Sequence, residues 1–251
     1  MDGIEWRHAA VPLPVGERAW AYALGAPYHA AHGLCVDGVV HGDPLGEFQQ
    51  PMLARDWGIR GREELIVQMN HLGSEGHRLR HGRTLRHFAM LWRPAVAALR
   101  EEFRSTVREG GEAAEDAAAQ LWRLDAVQAD RDAIRSTSLL AFDTARGVML
   151  ARAGLMLGWL DEDEAWAYMT AAAREARRTY ASWDAYGAGF VLARNVWAGT
   201  ATQDLFDEVV AALRTAADSP WRRLPWDLPG LADLPPPRPA GPGELVWTLE
   251  R

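Results

Sequence analysis

The sequence predicts an all-α protein, a single multi-helix bundle-like domain with a proline-rich irregular C-terminal tail. Three observations predict it. Apolar residues recur at helical spacing in segment after segment. Capping residues stand just before several of those segments, and the connections between the later ones are very short. The prolines are segregated: eight of the fourteen fall between Pro220 and Pro242, where a helix cannot persist.

The chain has 251 residues, 48% hydrophobic and 24% charged. These fractions exclude a disordered, collagenous or disulfide-stapled class. Its 34 acidic side chains outweigh 27 cations, all Arg with no Lys, giving a net charge of −7. That balance argues against nucleic acid as a partner, except through a local basic patch. Cys35 is the single cysteine, so no intramolecular disulfide can form, which fits a reducing cytoplasm. Cys35 itself reads as a small, half-buried hydrophobe. Asp2 and Glu5 stand where a signal peptide would carry basic and then apolar residues. The longest apolar stretch, 139–160, contains Asp143, Arg146 and Arg152, which argues against a membrane span. The expectation is a soluble, cytoplasmic protein with no membrane contact.

Residues 1–15 form an irregular lead-in with Pro12 and Pro14. A helix over 16–33 carries Trp20, Leu24 and Tyr28 and is broken or kinked near Pro27. The stretch 36–44 is a turn or short hairpin, and a short helix precedes Trp57. Leu65, Ile66, Met69 and Leu72 define a helix over 62–72. Another spans 84–108, with Pro94 kinking it or marking a fresh start, and ends at Gly110 and Gly111. An Ala-rich amphipathic helix covers 112–135. Ser136, Thr137 and Ser138 cap a helix running to about 160. Asp161 with Glu164 forms a capping box opening the next, to about 180. Ser182 caps a helix to about 198, and Thr202 a last one to about 217. The domain is therefore drawn as 1–217, with 218–251 as a tail docked on the body through some of Trp221, Trp226 and Trp247.

Each candidate for chemistry has a structural counterpart. All eight His lie in the first 87 residues, and His29/His32 and His77/His81 have spacings that can share a helix face. No His-Glu-x-x-His motif accompanies them, and Gly76 and Gly82 disfavour a helix around His77, so neither metal nor cofactor is expected. Arg78, Arg80, Arg83, Arg86 and Arg93 make the one clearly basic stretch. It suits an anion or nucleic-acid patch, or a solvated face paired with the acidic run 101–132; the chain's acidity favours the second. Asp143 and Arg146 at i,i+3, and Arg152 further along, stand amid apolar residues, so they are partly buried and must find partners. Glu164 and Arg194 are natural partners for them. Gly147, Ala151, Gly154 and Gly158 form a small-residue stripe that lets another helix approach closely. Such a network is either structural or the lining of a cleft. No nucleophile arrangement or phosphate loop is evident, since Tyr186, Gly187, Ala188 and Gly189 lack the strand and third glycine of a dinucleotide fingerprint.

Several stretches resemble the bacterial family known as domain of unknown function 1266. They are Ala141 to Arg146, Leu150 to Gly154, Gly158 to Trp166, and Tyr180 to Gly187 followed by Arg194 and Trp197. Upstream, Asp56 to Ile59, Arg62 to Leu65, and Gly76 with His77 are similar to its N-terminal half. The resemblance covers about 18–198; Ala193 departs from the Gly the family often has before the Arg of its last helix. It implies a bacterial, mostly helical, soluble protein, without an activity or a catalytic residue set. The polar positions it matches are His77, Asp143, Arg146, Arg152, Glu164 and Arg194, which are the candidate binding residues.

Two function classes follow. One is a non-catalytic protein-interaction module, immunity-like or accessory, whose partner is another protein met through aromatic contacts from the twelve Trp. The other is an enzyme or small-anion binder using a polar cleft between the central helices. It requires the candidate residues to converge on one concavity.

Overall fold

A computed structural model describes residues 4–39, 46–202 and 204–229, with 46–48 described by backbone alone. Outside helices and their connections, the described residues contain one isolated parallel bridge, between Arg7 and Cys35. Cys35 is buried beside it.

The N-terminal helices are α1 (Glu17–Ala23) and α2 (Ala26–Ala31), divided at Leu24 and Gly25 with Pro27 in the first turn of α2. There its missing N–H would have had no helical partner anyway. Then come α3 (Gly46–Trp57), α4 (Arg62–Ser74) and α5 (Gly76–Met90). The start of α5 corrects the expectation that Gly76 and Gly82 disfavour a helix around His77. α6 (Arg93–Glu109) has Pro94 in its first turn, so the proline marks a fresh start. α7 (Ala114–Gln128) stops well short of residue 135, because Asp130 and Asp132 adopt positive φ and a 3-10 turn (Arg131–Ala133) redirects the chain. The rest is α8 (Leu140–Met156), α9 (Glu162–Thr179), α10 (Trp183–Ala198), α11 (Leu205–Thr215) and the single turn α12 (Pro220–Arg223).

α8 is the centre. Every residue from Leu140 to Gly154 is buried, and a helix that is apolar all round must be enclosed on all sides. α9, α10 and α4 pack on it most extensively, with α2, α3 and α5 completing the shell. The small-residue stripe contributes where α4 crosses: a Cβ on Gly154 would lie 2.5 Å from Leu65. The α6–α7 hairpin packs outside α5, α1 lies on α9, and α11 lies on α2 and α10.

The helix ends show which caps are local. Asp161 accepts from Glu164 N while Glu164 accepts from Asp161 N, the expected capping box. Ser182 caps α10. The expected Ser136–Ser138 cap is replaced: Leu139 holds the N-cap position of α8, and Ala141 N donates to the Tyr180 hydroxyl at 2.9 Å. Ser138 keeps a lesser share, accepting from Leu140 N at 3.2 Å. Thr202 does not cap α11. Asp204 does, in a box with Asp207, while the Thr202 hydroxyl donates to Asn195 Oδ1.

Trp20, Trp183, Trp221 and Trp226 form one buried aromatic cluster, with ring centroids 4.7–5.5 Å apart for Trp183 against the other three. Each indole N–H donates to a backbone carbonyl: Pro225, Leu224, Ala23 and Tyr180 respectively. These four rings are core, which removes them from the supply of surface aromatics on which the interaction reading leaned. Trp247 lies outside the described residues, as do 40–44 of the expected 36–44 turn.

Candidate functional site

The site is built outward from Asp143, in the first turn of α8 and fully buried. Its Oδ1 accepts from His77 N at 3.0 Å and from Arg146 Nη2 at 2.7 Å. Its Oδ2 accepts from Arg78 N at 3.1 Å and Arg78 Nη1 at 3.2 Å. One carboxylate thus caps the N-terminus of α5, where free amides and the helix dipole favour negative charge. Gly76 makes this possible: its φ is +58°, and a Cβ there would lie 2.1 Å from Asp143 Oδ2. Arg78 also donates to the carbonyls of Leu72 and Gly73, closing the end of α4. Arg78 therefore does not belong to an exposed basic face, whereas Arg80, Arg83, Arg86 and Arg93 are exposed. No ion pair among the described residues joins those four to the acidic run 101–132.

Arg146 is the other guanidinium on Asp143. Its Nε donates to the Phe142 carbonyl at 3.3 Å, and its Cζ lies 4.1 Å from the Phe142 ring centroid and 5.4 Å from that of Trp57. Nη1 has no hydrogen-bond partner among the described residues, and the side chain lines a cleft of about 460 Å³. α2 and α3 contribute Tyr28 and Trp57 to its walls; α5, α8, α10 and α11 contribute His77, Phe142, Trp197 and Phe206. Arg194 also lines it, held bidentately by Asp204 at 3.0 and 2.6 Å with its Cζ 4.6 Å from the Phe206 centroid. Asp56 at the mouth is already engaged by Arg55. Around the cleft, four guanidiniums (Arg55, Arg78, Arg146, Arg194) face three carboxylates (Asp56, Asp143, Asp204). Arg78 and Arg146 share the one carboxylate of Asp143, and of the two it is Arg146 that lines the cleft.

Desolvation, aided by the neighbouring Arg146 charge, pushes His77 down to about 4, so the imidazole is neutral at physiological pH; its Nδ1 is buried without a partner. His81 stacks on it at 5.7 Å and is likewise pushed down to about 4 by burial and by Arg123. Among the described residues no three His, Cys, Asp or Glu side chains are grouped to hold a metal ion. His29, the other expected pair member, is buried against Tyr22.

Four of the six candidate residues therefore meet: His77, Arg146 and Arg194 on the cleft wall and Asp143 beneath it. Arg152 lines an adjoining cavity instead. Glu164 is elsewhere, and neither Glu164 nor Arg194 partners the charges of α8. Glu164 receives Arg62 bidentately at 2.5 and 2.8 Å near the start of α9, and that pairing holds its carboxyl down at about 2. Its sequence context placed it beside the buried charges, but its role as the third residue of a capping box keeps it at a half-exposed helix end. Sequence reasoning missed Arg78 as the second partner of Asp143, because 65 residues separate them. It also missed the aromatic walls, because Tyr28, Trp57, Phe142, Trp197 and Phe206 look like core positions in their own helices.

No helix among the described residues is long and apolar enough to cross a membrane. No solved structure matches the chain. The uncharacterized protein YbeR of Escherichia coli (strain K12) is 26% identical over 149 residues, covering 58% of this chain and 56% of that relative. The chain thus matches little more than half the length of that relative. Residues 52–226, which hold Asp143, Arg146, Arg194 and most of the cleft, match the family described as "Protein of unknown function (DUF1266)", and the chain belongs to that family.

Proposed function

We propose that this protein binds a small anionic ligand with a planar body in the Arg146 cleft. One observation carries the reading: Asp143 is a single buried carboxylate shared by two guanidiniums, leaving Arg146 with an unspent donor and net charge facing the cavity. A buried charge without full compensation is costly, and an anion relieves that cost. The rings of Trp57, Trp197, Tyr28 and Phe206 offer flat apolar surface beside the cation, the composition of a small-molecule pocket. Its volume of about 460 Å³ lies within the range of such pockets.

Trp57 and Trp197 supply a readout. Titration with 4-nitrobenzoate, an anionic aromatic quencher, is expected to quench fluorescence saturably, and the neutral 4-nitrobenzamide is not. Arg146→Met is expected to weaken that binding at least about tenfold, the worth of one charged hydrogen bond, while circular dichroism stays unchanged. Equal quenching by the two compounds, or by wild type and variant, contradicts the reading.

The protein-interaction reading rests on a different place. Met90 and Trp92 stand 83% and 70% exposed at the α5–α6 joint, and exposed aromatics are common anchors of interfaces. Its expected signature is a Trp92→Ser variant with unchanged melting temperature that no longer retains a partner co-purifying with wild type.

A further inference from the structure

Among the described residues four arginines are buried, and three have an obvious structural occupation. Arg78 holds Asp143 and two carbonyls, Arg123 donates to the carbonyls of Val196 and Trp197 at the end of α10, and Arg146 holds Asp143. Arg152 is different. It is 1% exposed, yet among the described residues its one side-chain hydrogen bond runs from Nε to the Tyr22 hydroxyl at 2.9 Å. No carboxylate of a described residue pairs with it, and Nη2 is buried with no partner. The Tyr22 hydroxyl is a poor counter-ion: it donates to the Cys35 carbonyl, and desolvation pushes it up to about 12. His29, 4.4 Å from the Tyr22 ring, is held neutral by burial, and an imidazole offers Arg152 no counter-charge in either of its forms.

Arg152 lines a cavity of about 290 Å³ between α3, α8 and the segment following α2. Gln49 lines the same cavity, and both its side-chain Oε1 and Nε2 are buried without partners. Leu34, Pro51, Met52 and Met149 make most of the remaining wall apolar; His32 and Arg55 complete it, and the Arg55 charge is already paired with Asp56. A buried guanidinium and a buried amide, both unsatisfied and bordering one cavity, form a built anion site rather than a chance void. One guanidinium carries one charge, which a monoanion cancels; a carboxylate accepts its paired N–H donors in a plane. Phosphate at neutral pH would bring more charge than this pocket holds, and it has no use for the apolar wall.

We infer that the Arg152 cavity is a second ligand site, taking the carboxylate of a small organic acid against Arg152 and Gln49, with its apolar body along Pro51, Met52 and Met149. The two cavities share His32, Met52 and Met149, but this site has its own cation and stands whether or not the Arg146 cleft is occupied.

The test uses the full chain and isothermal titration calorimetry with hexanoate as probe. Wild type is expected to bind one hexanoate with Kd of about 1 mM or tighter, within the reach of so small a ligand. 1-Hexanol is expected not to bind, and inorganic phosphate not to displace hexanoate. Arg152→Met removes the charge and keeps an extended apolar side chain. It is expected to lose hexanoate binding at least about tenfold and to melt at or above the wild-type temperature, because an uncompensated buried charge is removed. A structural arginine gives the reverse, a lower melting temperature with hexanoate binding unaltered. Gln49→Leu leaves Arg152 in place and decides the matter if Arg152→Met does not fold: several-fold weaker hexanoate binding supports the site, and unchanged binding overturns it. Arg146→Met is expected to leave hexanoate binding within about twofold, so failure here and failure of the Arg146 cleft are read separately. Absence of saturable binding to wild type, or equal displacement by phosphate, overturns the inference.

Discussion

The two ends of α8 treat the same problem in opposite ways. At the N-terminal end, Asp143 gathers Arg78, Arg146 and two amides of α5, so one carboxylate meets two guanidiniums and Arg146 Nη1, facing the cleft, is left over. At the C-terminal end, Arg152 is as deeply buried but meets a phenol and an open cavity. The sequence context is alike, since both sets of charges lie in an apolar helix. What differs is that the N-terminal end carries its own carboxylate, Asp143, whereas no carboxylate of a described residue reaches Arg152. The contrast teaches that burial of a charge does not by itself distinguish scaffold from site. The count of its partners does.

The sharpest way to break the comparison is to remove Asp143. Asp143→Ala strands two buried guanidiniums and uncaps α5. The expected cost is about 3–5 kcal/mol, the usual penalty for breaking a buried pair. In a chain of this size that lowers the melting temperature by roughly 10 °C, measurable by differential scanning calorimetry. A loss no larger than that of a surface pair would erase the distinction between the two ends.

A middle-sized effect concerns the histidines above Asp143. His77 and His81 lie near 4 in the folded chain, below the 6.5 of the unfolded one. Between those values the unfolded chain binds more protons, so stability is full above about pH 6.5 and falls as pH drops towards 4. Melting temperatures across pH 7.5 to 4 are expected to fall, and His77→Gln is expected to flatten part of that fall. A pH-independent melting temperature down to pH 4.5 contradicts the desolvated placement of these rings.

The smallest effect belongs to Glu164. Glu164→Gln keeps the capping box, which glutamine also completes, and loses only the half-exposed charge pair with Arg62. The expected change is below about 1 kcal/mol by thermal unfolding. A larger loss would show that Glu164 belongs with the buried network after all.

These positions also show what the sequence made legible. The Asp161–Glu164 box and the Ser182 cap are read from residues three apart, because the physics that makes them is local. The burial of Asp143, Arg146 and Arg152 is equally legible, since long apolar runs enclose them. Their partners are not, because those are chosen by tertiary approach. Arg78 comes from α5 and Tyr22 from α1, just as the Tyr180 hydroxyl that receives Ala141 N comes from the end of α9. Gly76 illustrates the limit: in sequence it argues against a helix, yet in the fold it is the opening through which Asp143 starts one.

The most direct measurement is anomalous diffraction from crystals soaked in sodium bromide, which marks anion sites by position. Bromide peaks are expected within contact distance of Arg146 Nη1 in the large cleft and of the Arg152 guanidinium in the smaller cavity, with none at Arg78 or Arg123. Bromide confined to the exposed arginines Arg80, Arg83, Arg86 and Arg93, with both cavities empty, would contradict that expectation.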